Sequence, residues 1–250
     1  VRYFIQFSYF GKNYHGWQNQ PNALTVQQAL EQALSKLLRT SVDLVGAGRT
    51  DAGVHAREMF SHFDVEEIAD SENLIYRLNA FLPEDIAVKR IFEVPAEAHA
   101  RFDAVERTYE YWITQDKNPF LMDFAYYFKY GLNVEKMNEA SQMLLLHHDF
   151  ECFSKSNTEV KTYLCTIKSA IWQRNEDRLV FTISADRFLR NMVRAIVGTL
   201  LQVGQGKIDL KDVKTILKSR DRSKAGPSVP AKGLYLTKII YPNTVIGYDG

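Results

Sequence analysis

With 250 residues, 46% of them hydrophobic and 24% charged, the chain has room for one large domain or two small ones around a sizeable core. No apolar run approaches the ~18 residues that would span a bilayer, and two cysteines, Cys152 and Cys165, are too few for a disulfide framework. The opening Tyr3-Phe4-Ile5-Gln6-Phe7 lacks a basic n-region and an apolar h-region, so a secretory leader is not expected and a cytoplasmic location is. The net charge of +1 hides an asymmetry: residues 1–100 hold 9 Lys and Arg against 13 Asp and Glu, and residues 101–250 hold 22 against 17. Phosphate contacts are therefore sought in the second half.

In chain order, Tyr3, Ile5, Phe7 and Tyr9 alternate with the period of a strand. Thr25, with Gln28 three residues on, opens a helix carrying Val26, Leu30, Ala33, Leu34 and Leu37 at helical spacing. Short strands are expected at Val42–Val45 and Met59–Val65, a helix capped by Ser71 with Leu74, Leu78 and Leu82, and a strand at Ile86–Val94. The second half repeats this order. A strand at Arg107–Thr114 precedes a helix capped by Asn133, then strands at Thr162–Gln173 and Arg178–Ala185. A helix from about Phe188 to Val203 stops at Gly204, an extra helix spans Asp209–Lys218, and a strand at Leu234–Ile240 closes the half.

The pattern predicts an α+β protein of two ferredoxin-like (βαββαβ) units related by internal duplication, with antiparallel sheets flanking a central cleft suited to an elongated polymer. The domains expected are 1–97, carrying the glycine-rich loop described next, and 98–250.

That loop, Gly46-Ala47-Gly48-Arg49-Thr50-Asp51-Ala52-Gly53-Val54-His55-Ala56, lies between two short strands and presents Arg49, Thr50 and Asp51 from a fixed base. It has neither the spacing of a dinucleotide fingerprint nor the Gly-Lys-Ser/Thr of a phosphate loop. Asp51 either caps a turn through its own backbone or serves chemistry. Arg187, Arg190 and Arg194 fall at i, i+3 and i+7 of the helix expected from about residue 187. Arg194 is enclosed by Val193 and Ala195-Ile196-Val197, so an acidic partner is expected for it, Asp51 being the best candidate. Arg187 and Arg190 read as phosphate contacts. The six histidines show no metal-ligand spacing, and Trp17 reads as a packing anchor.

The stretch from Gly48 to Ala56 resembles the signature of the TruA family of tRNA pseudouridine synthases. The resemblance continues through His15-Gly16-Trp17-Gln18, Ala100-Arg101-Phe102, Arg107-Thr108-Tyr109-Glu110-Tyr111, Asp149-Phe150, Met192 to Gly198 and Pro230 to Leu236. It implies an isomerase acting on tRNA uridines 38, 39 and 40 of the anticodon stem and loop, a homodimer, and no metal or organic cofactor. Asp51 would be the catalytic aspartate, Tyr109 would lie against the uracil, Arg194 would pair with Asp51, and Arg49 would enter the RNA. The sequence departs from the family pattern at Phe10 and Lys12, and at Arg57-Glu58 after the loop.

Cleaving C1′–N1 and rejoining the uracil through C5 needs no redox partner; one ionised carboxylate suffices, as nucleophile at C1′ or base at C2′. Two rival readings are a non-catalytic RNA-binding module and a nucleoside hydrolase with Glu58 as its second acid.

Overall fold

The computed structural model describes residues 1–155 and 160–247. The chain is a mixed α+β protein that divides into two compact units, one of Val1–Glu106 with the segment from Tyr235 onward, the other of Arg107–Leu234. Among the described residues no helix is long and apolar enough to cross a membrane.

The first unit runs β1 (Arg2–Tyr9), α1 (Val26–Leu38), β2 (Val45–Gly46), β3 (His55–Asp64), α2 (Ser71–Phe81) and β4 (Ile86–Glu93). Its strands stand in the order β4-β1-β3-β2, every pair antiparallel. The alternation legible in β1 sends Ile5 and Phe7 into a core that also holds Phe4, Leu30, Leu34 and Phe63. Thr25 caps α1 by accepting the Gln28 N–H. For α2 the cap is Asp70, accepting from the Asn73 N–H, while Ser71 is already helical. The short strand falls at Val45–Gly46, where sequence pattern suggested 42–45, and β3 begins at His55, four residues before its apolar run. A parallel pairing that no periodicity announced adds a further strand: β9 (Leu234–Ile240) meets β3 with His55 opposite Tyr235 and Ala56 opposite Leu236.

In the second unit β5 (Glu106–Thr114), β8 (Arg178–Ala185) and β7 (Ile167–Asn175) form an antiparallel set, with β6 (Tyr126–Tyr127) parallel to the end of β5. The core gathers Tyr111, Trp172, Phe181, Met137 and Ile196, and Trp172 stacks on Phe181 with centroids 4.8 Å apart. Asn133 caps α3 (Val134–Leu145), and Asp209 caps α5 (Leu210–Ser219) in a capping box with Asp212.

Two expectations are corrected here. The strand foreseen from Thr162 starts at Ile167, because Tyr163 and Cys165 bond instead to Phe150 and His148. The helix foreseen from Phe188 is α4 (Met192–Gly204), interrupted at its N-terminus by Asn191 in the left-handed region at φ 66°. Arg187 and Arg190 therefore precede the helix and share no helical stripe with Arg194.

Candidate active site

In the first unit the glycine-rich loop is fastened along its length. Ala47 N–H donates to Phe60 O at 2.8 Å, Trp17 N–H to Thr50 O at 3.1 Å, and Gly53 N–H to Tyr14 O at 3.3 Å. Asp51 O accepts from Val54 N–H at 3.1 Å, closing a four-residue turn with Gly53 at its third position at φ 79°. That conformation is the one a type II turn reserves for glycine. The turn displays a half-buried Asp51 between exposed Arg49 and Ala52.

Residues 9–17 form the wall behind this turn. The Tyr9 and Thr50 hydroxyls share a buried hydrogen bond of 2.7 Å. His55, 1% exposed, accepts the Gly11 N–H at Nδ1 at 2.9 Å, and Phe10 lies flat on its ring at 4.2 Å and 7°. A neutral imidazole accepting at Nδ1 carries its proton on Nε2. Gly16, at φ 90°, passes so close to Thr50 O that a Cβ there would collide with it. Trp17 stacks on Phe7 at 5.3 Å, its indole covering Gly46, as expected of a packing anchor. Tyr14 donates to Asp85, and burial is the main reason its hydroxyl is held far above the usual tyrosine range.

Glu58 has both carboxylate oxygens engaged, one by Gln6 Nε2 at 3.0 Å and one by Ile239 N–H at 2.8 Å. It ties β9 to β3.

The second unit assembles Arg194, Tyr111 and the segment 225–233. Arg194 Nε donates to Val229 O at 2.7 Å, and Val229 N–H donates back to Arg194 O at 3.2 Å. Tyr111, fully buried, donates to Pro230 O at 2.7 Å. Burial pushes its hydroxyl far up, with the Arg194 charge working in the opposite direction. Tyr109 is half-buried and meets Phe188 edge-on at 5.1 Å. Arg187 donates to Thr162 O at 3.4 Å, and Arg190 is exposed. Among the described residues no cluster of His, Cys, Asp or Glu is placed to hold a metal ion.

Tyr9, Gly16, His55 and Val229 had no assigned role in the sequence reading. His55 lies within the Gly48 to Ala56 stretch of the resemblance and Gly16 within His15-Gly16-Trp17-Gln18, while Val229 borders the Pro230 to Leu236 stretch.

The family model for tRNA pseudouridine synthases matches residues 5–103 and 140–242. The chain belongs to the tRNA pseudouridine synthase family. A tRNA pseudouridine synthase A of Parabacteroides distasonis is 54% identical over 242 residues, covering 96% of each chain. That of Bacteroides thetaiotaomicron is 50% identical over 251 residues, 99% of this chain and 93% of its own. That of Porphyromonas gingivalis is 50% identical over 247 residues, 97% and 98%. Such pseudouridine synthases are isomerases, and the stretches that match the family carry the Asp51 loop in the first unit and Arg194 with Val229 in the second. Tyr109 falls in the interval 104–139, outside the stretches that the family model matches.

Proposed function

We propose that the protein isomerises uridine to pseudouridine in the anticodon stem and loop of tRNA, at positions 38, 39 and 40, with Asp51 as its catalytic carboxylate. The observation that carries this reading is the fastened turn that presents a half-buried Asp51 beside exposed Arg49. The C1′–N1 bond breaks, the uracil turns, C1′–C5 forms, and the C5 proton leaves as N1 gains one. Asp51 begins the sequence either by attacking C1′ or by taking the C2′ proton. Arg194 pairs with it as a guanidinium partner, Tyr109 stacks on the extruded base, and Arg49 fills the gap the base leaves, offsetting a flipping cost of a few kcal/mol. Arg187 and Arg190 contact phosphates, and no cofactor takes part.

The fold reading that accompanies this is two ferredoxin-like units arisen by duplication, domains 1–97 and 98–250, lining an RNA cleft in a cytoplasmic homodimer. The strand order β4-β1-β3-β2 of the first unit supports the ferredoxin-like reading, and the element order β5-α3-β7-β8-α4 of the second repeats it except for the closing strand, since β9 pairs with β3 of the first unit. A hydrolase reading fares worse, since it needs a second carboxylate flanking the bond and both oxygens of Glu58 are already bonded within the sheet.

The test is tritium release from tRNA carrying [5-³H]uridine. Wild type releases tritium, and Asp51→Asn binds the RNA with unchanged affinity and releases none. Full activity in Asp51→Asn, or free uracil among the products, refutes the assignment.

A further inference from the structure

Asp51 sits one residue beyond Thr50, and Thr50 is held at its carbonyl and at its hydroxyl. Its carbonyl accepts the Trp17 N–H at 3.1 Å, and its hydroxyl meets the Tyr9 hydroxyl at 2.7 Å in a buried contact. Tyr9 is 4% exposed and Thr50 8%, so neither hydroxyl has bulk water as a substitute partner. Tyr9 ends β1, whose strand is paired on both sides, with β3 and with β4. The hydroxyl is thus mounted on an interior strand of the sheet. Its neighbours continue the anchorage: Phe10 N–H donates to Asp85 O at 2.8 Å, Asn13 Nδ2 to an Asp85 oxygen at 3.0 Å, and Gly11 N–H to His55 at the far end of the turn.

We infer that Tyr9 is a positioning residue for the reaction: its hydroxyl, through Thr50, fixes the main chain from which the Asp51 carboxylate projects. The inference rests on the reading of Asp51 as catalytic. Tyr9 touches no reacting atom in this scheme. Its work is to transmit the rigidity of β1 to the turn, and misplacement of a catalytic group by about 1 Å costs on the order of a hundredfold in rate. A hydrogen bond between two buried hydroxyls suits this purpose, because it is directional and weakens steeply when the donor and acceptor move out of line. An apolar contact at the same place would fill the volume without fixing the direction of the chain.

The experiment is single-turnover tritium release with Tyr9→Phe, Thr50→Val and the double variant, alongside Asp51→Asn, with RNA affinity and melting temperature measured on each. The expected result is a chemical step slowed roughly ten- to a hundredfold by Tyr9→Phe, with RNA affinity within twofold of wild type. The double variant falls no further than the worse single one, because both remove the same bond. Thr50→Ser, which keeps the hydroxyl, recovers most of what Thr50→Val loses. If Tyr9→Phe turns over at the wild-type rate while Asp51→Asn is inactive, the positioning role is wrong and the function stands. Additive losses in the double variant, or a loss that affects RNA affinity as much as rate, also overturn it. Activity in Asp51→Asn sinks both readings.

Discussion

Arg194 and Val229 are bonded to each other twice, side chain to carbonyl at 2.7 Å and amide to carbonyl at 3.2 Å. The pairing lays the segment 225–230 along the N-terminal half of α4. The rest of the contact follows from small residues: Gly198 on the helix and Gly226 on the segment approach so closely that neither site accepts a Cβ. Gly226 N–H donates to Thr199 Oγ1 at 2.8 Å, and Arg222 reaches Gly226 O and Ser228 Oγ at 3.0 and 2.9 Å. An arginine inside an apolar helical run is thereby kept in one orientation by the chain that crosses it.

Gly198→Ala tests this packing. Its Cβ would strike Pro227 O, a backbone atom that moves only if the segment moves with it. The expected cost is about 1–3 kcal/mol of stability, read as a lower melting temperature, together with a fall in turnover larger than the unfolded fraction explains. A variant with unchanged melting temperature and activity would show that the segment yields freely, and that Arg194 is not oriented by it.

Gly16→Ala addresses the other unit. The residue combines φ 90° with a main-chain neighbour, Thr50 O, in the place a Cβ would take. Both the strained φ and the collision are imposed on the chain that backs the Asp51 turn. We expect loss of the Trp17–Thr50 hydrogen bond and a drop in tritium release at temperatures where circular dichroism still reports a folded protein. Retained activity in Gly16→Ala would mean that this wall tolerates a shift and does not define the turn.

Periodicity announced the strands and helices that bury one face, as at β1, α1 and α3, because apolar spacing records which face is covered. It missed the start of α4, since the break at Asn191 is a backbone event inside an apolar stretch. It missed the parallel pairing of β9 with β3, which joins residues about 180 positions apart and leaves no local mark. The Asp51 turn was legible because glycine at a positive φ is nearly obligatory there. The wall behind it was not: Tyr9 reads in sequence as one more alternating aromatic, and only the contact with Thr50 distinguishes it. For Glu58 the sequence offered a candidate acid, and the structure gives it to Gln6 and Ile239.

Stability should fall in mild acid because of His62. The imidazole is 5% exposed and accepts the Ala100 N–H at Nδ1 at 3.1 Å. Burial first, then the neighbouring His99 and Arg2, lowers its pKa to about 4, against weaker opposition from Asp64 and Asp103. The folded value lies below the ~6.5 of an unfolded chain, so unfolding takes up a proton between these limits. Stability is intact above pH ~6.5 and declines as pH falls towards 4. The measurement is melting temperature against pH, with the His62 resonance followed by NMR. A His62 that titrates near 6.5 in the folded protein would remove this origin for the decline.

Both thiols should be silent in the native state. Burial raises Cys152 and Cys165 to about 12 each, so at pH 8 almost none of either is thiolate, the form that reacts. A disulfide reagent added to folded protein is expected to register neither cysteine within minutes, and both once guanidinium unfolds it. Rapid native reaction at either would mean that the packing around that thiol opens readily.

Arg194→Lys separates charge from shape. Lysine keeps the positive charge but has no Nε at the position that bonds Val229 O, and its ammonium cannot make two parallel bonds to a carboxylate. If Arg194 both secures the segment and pairs with Asp51, the substitution slows tritium release by roughly tenfold or more, the loss of about 1.4 kcal/mol or more of transition-state stabilisation. RNA affinity and its steep salt dependence should remain, since phosphate contacts elsewhere set them. A lysine variant with wild-type turnover would reduce the requirement to a nearby charge. One that loses RNA binding in proportion to rate would move Arg194 from the chemistry to the binding of the polymer.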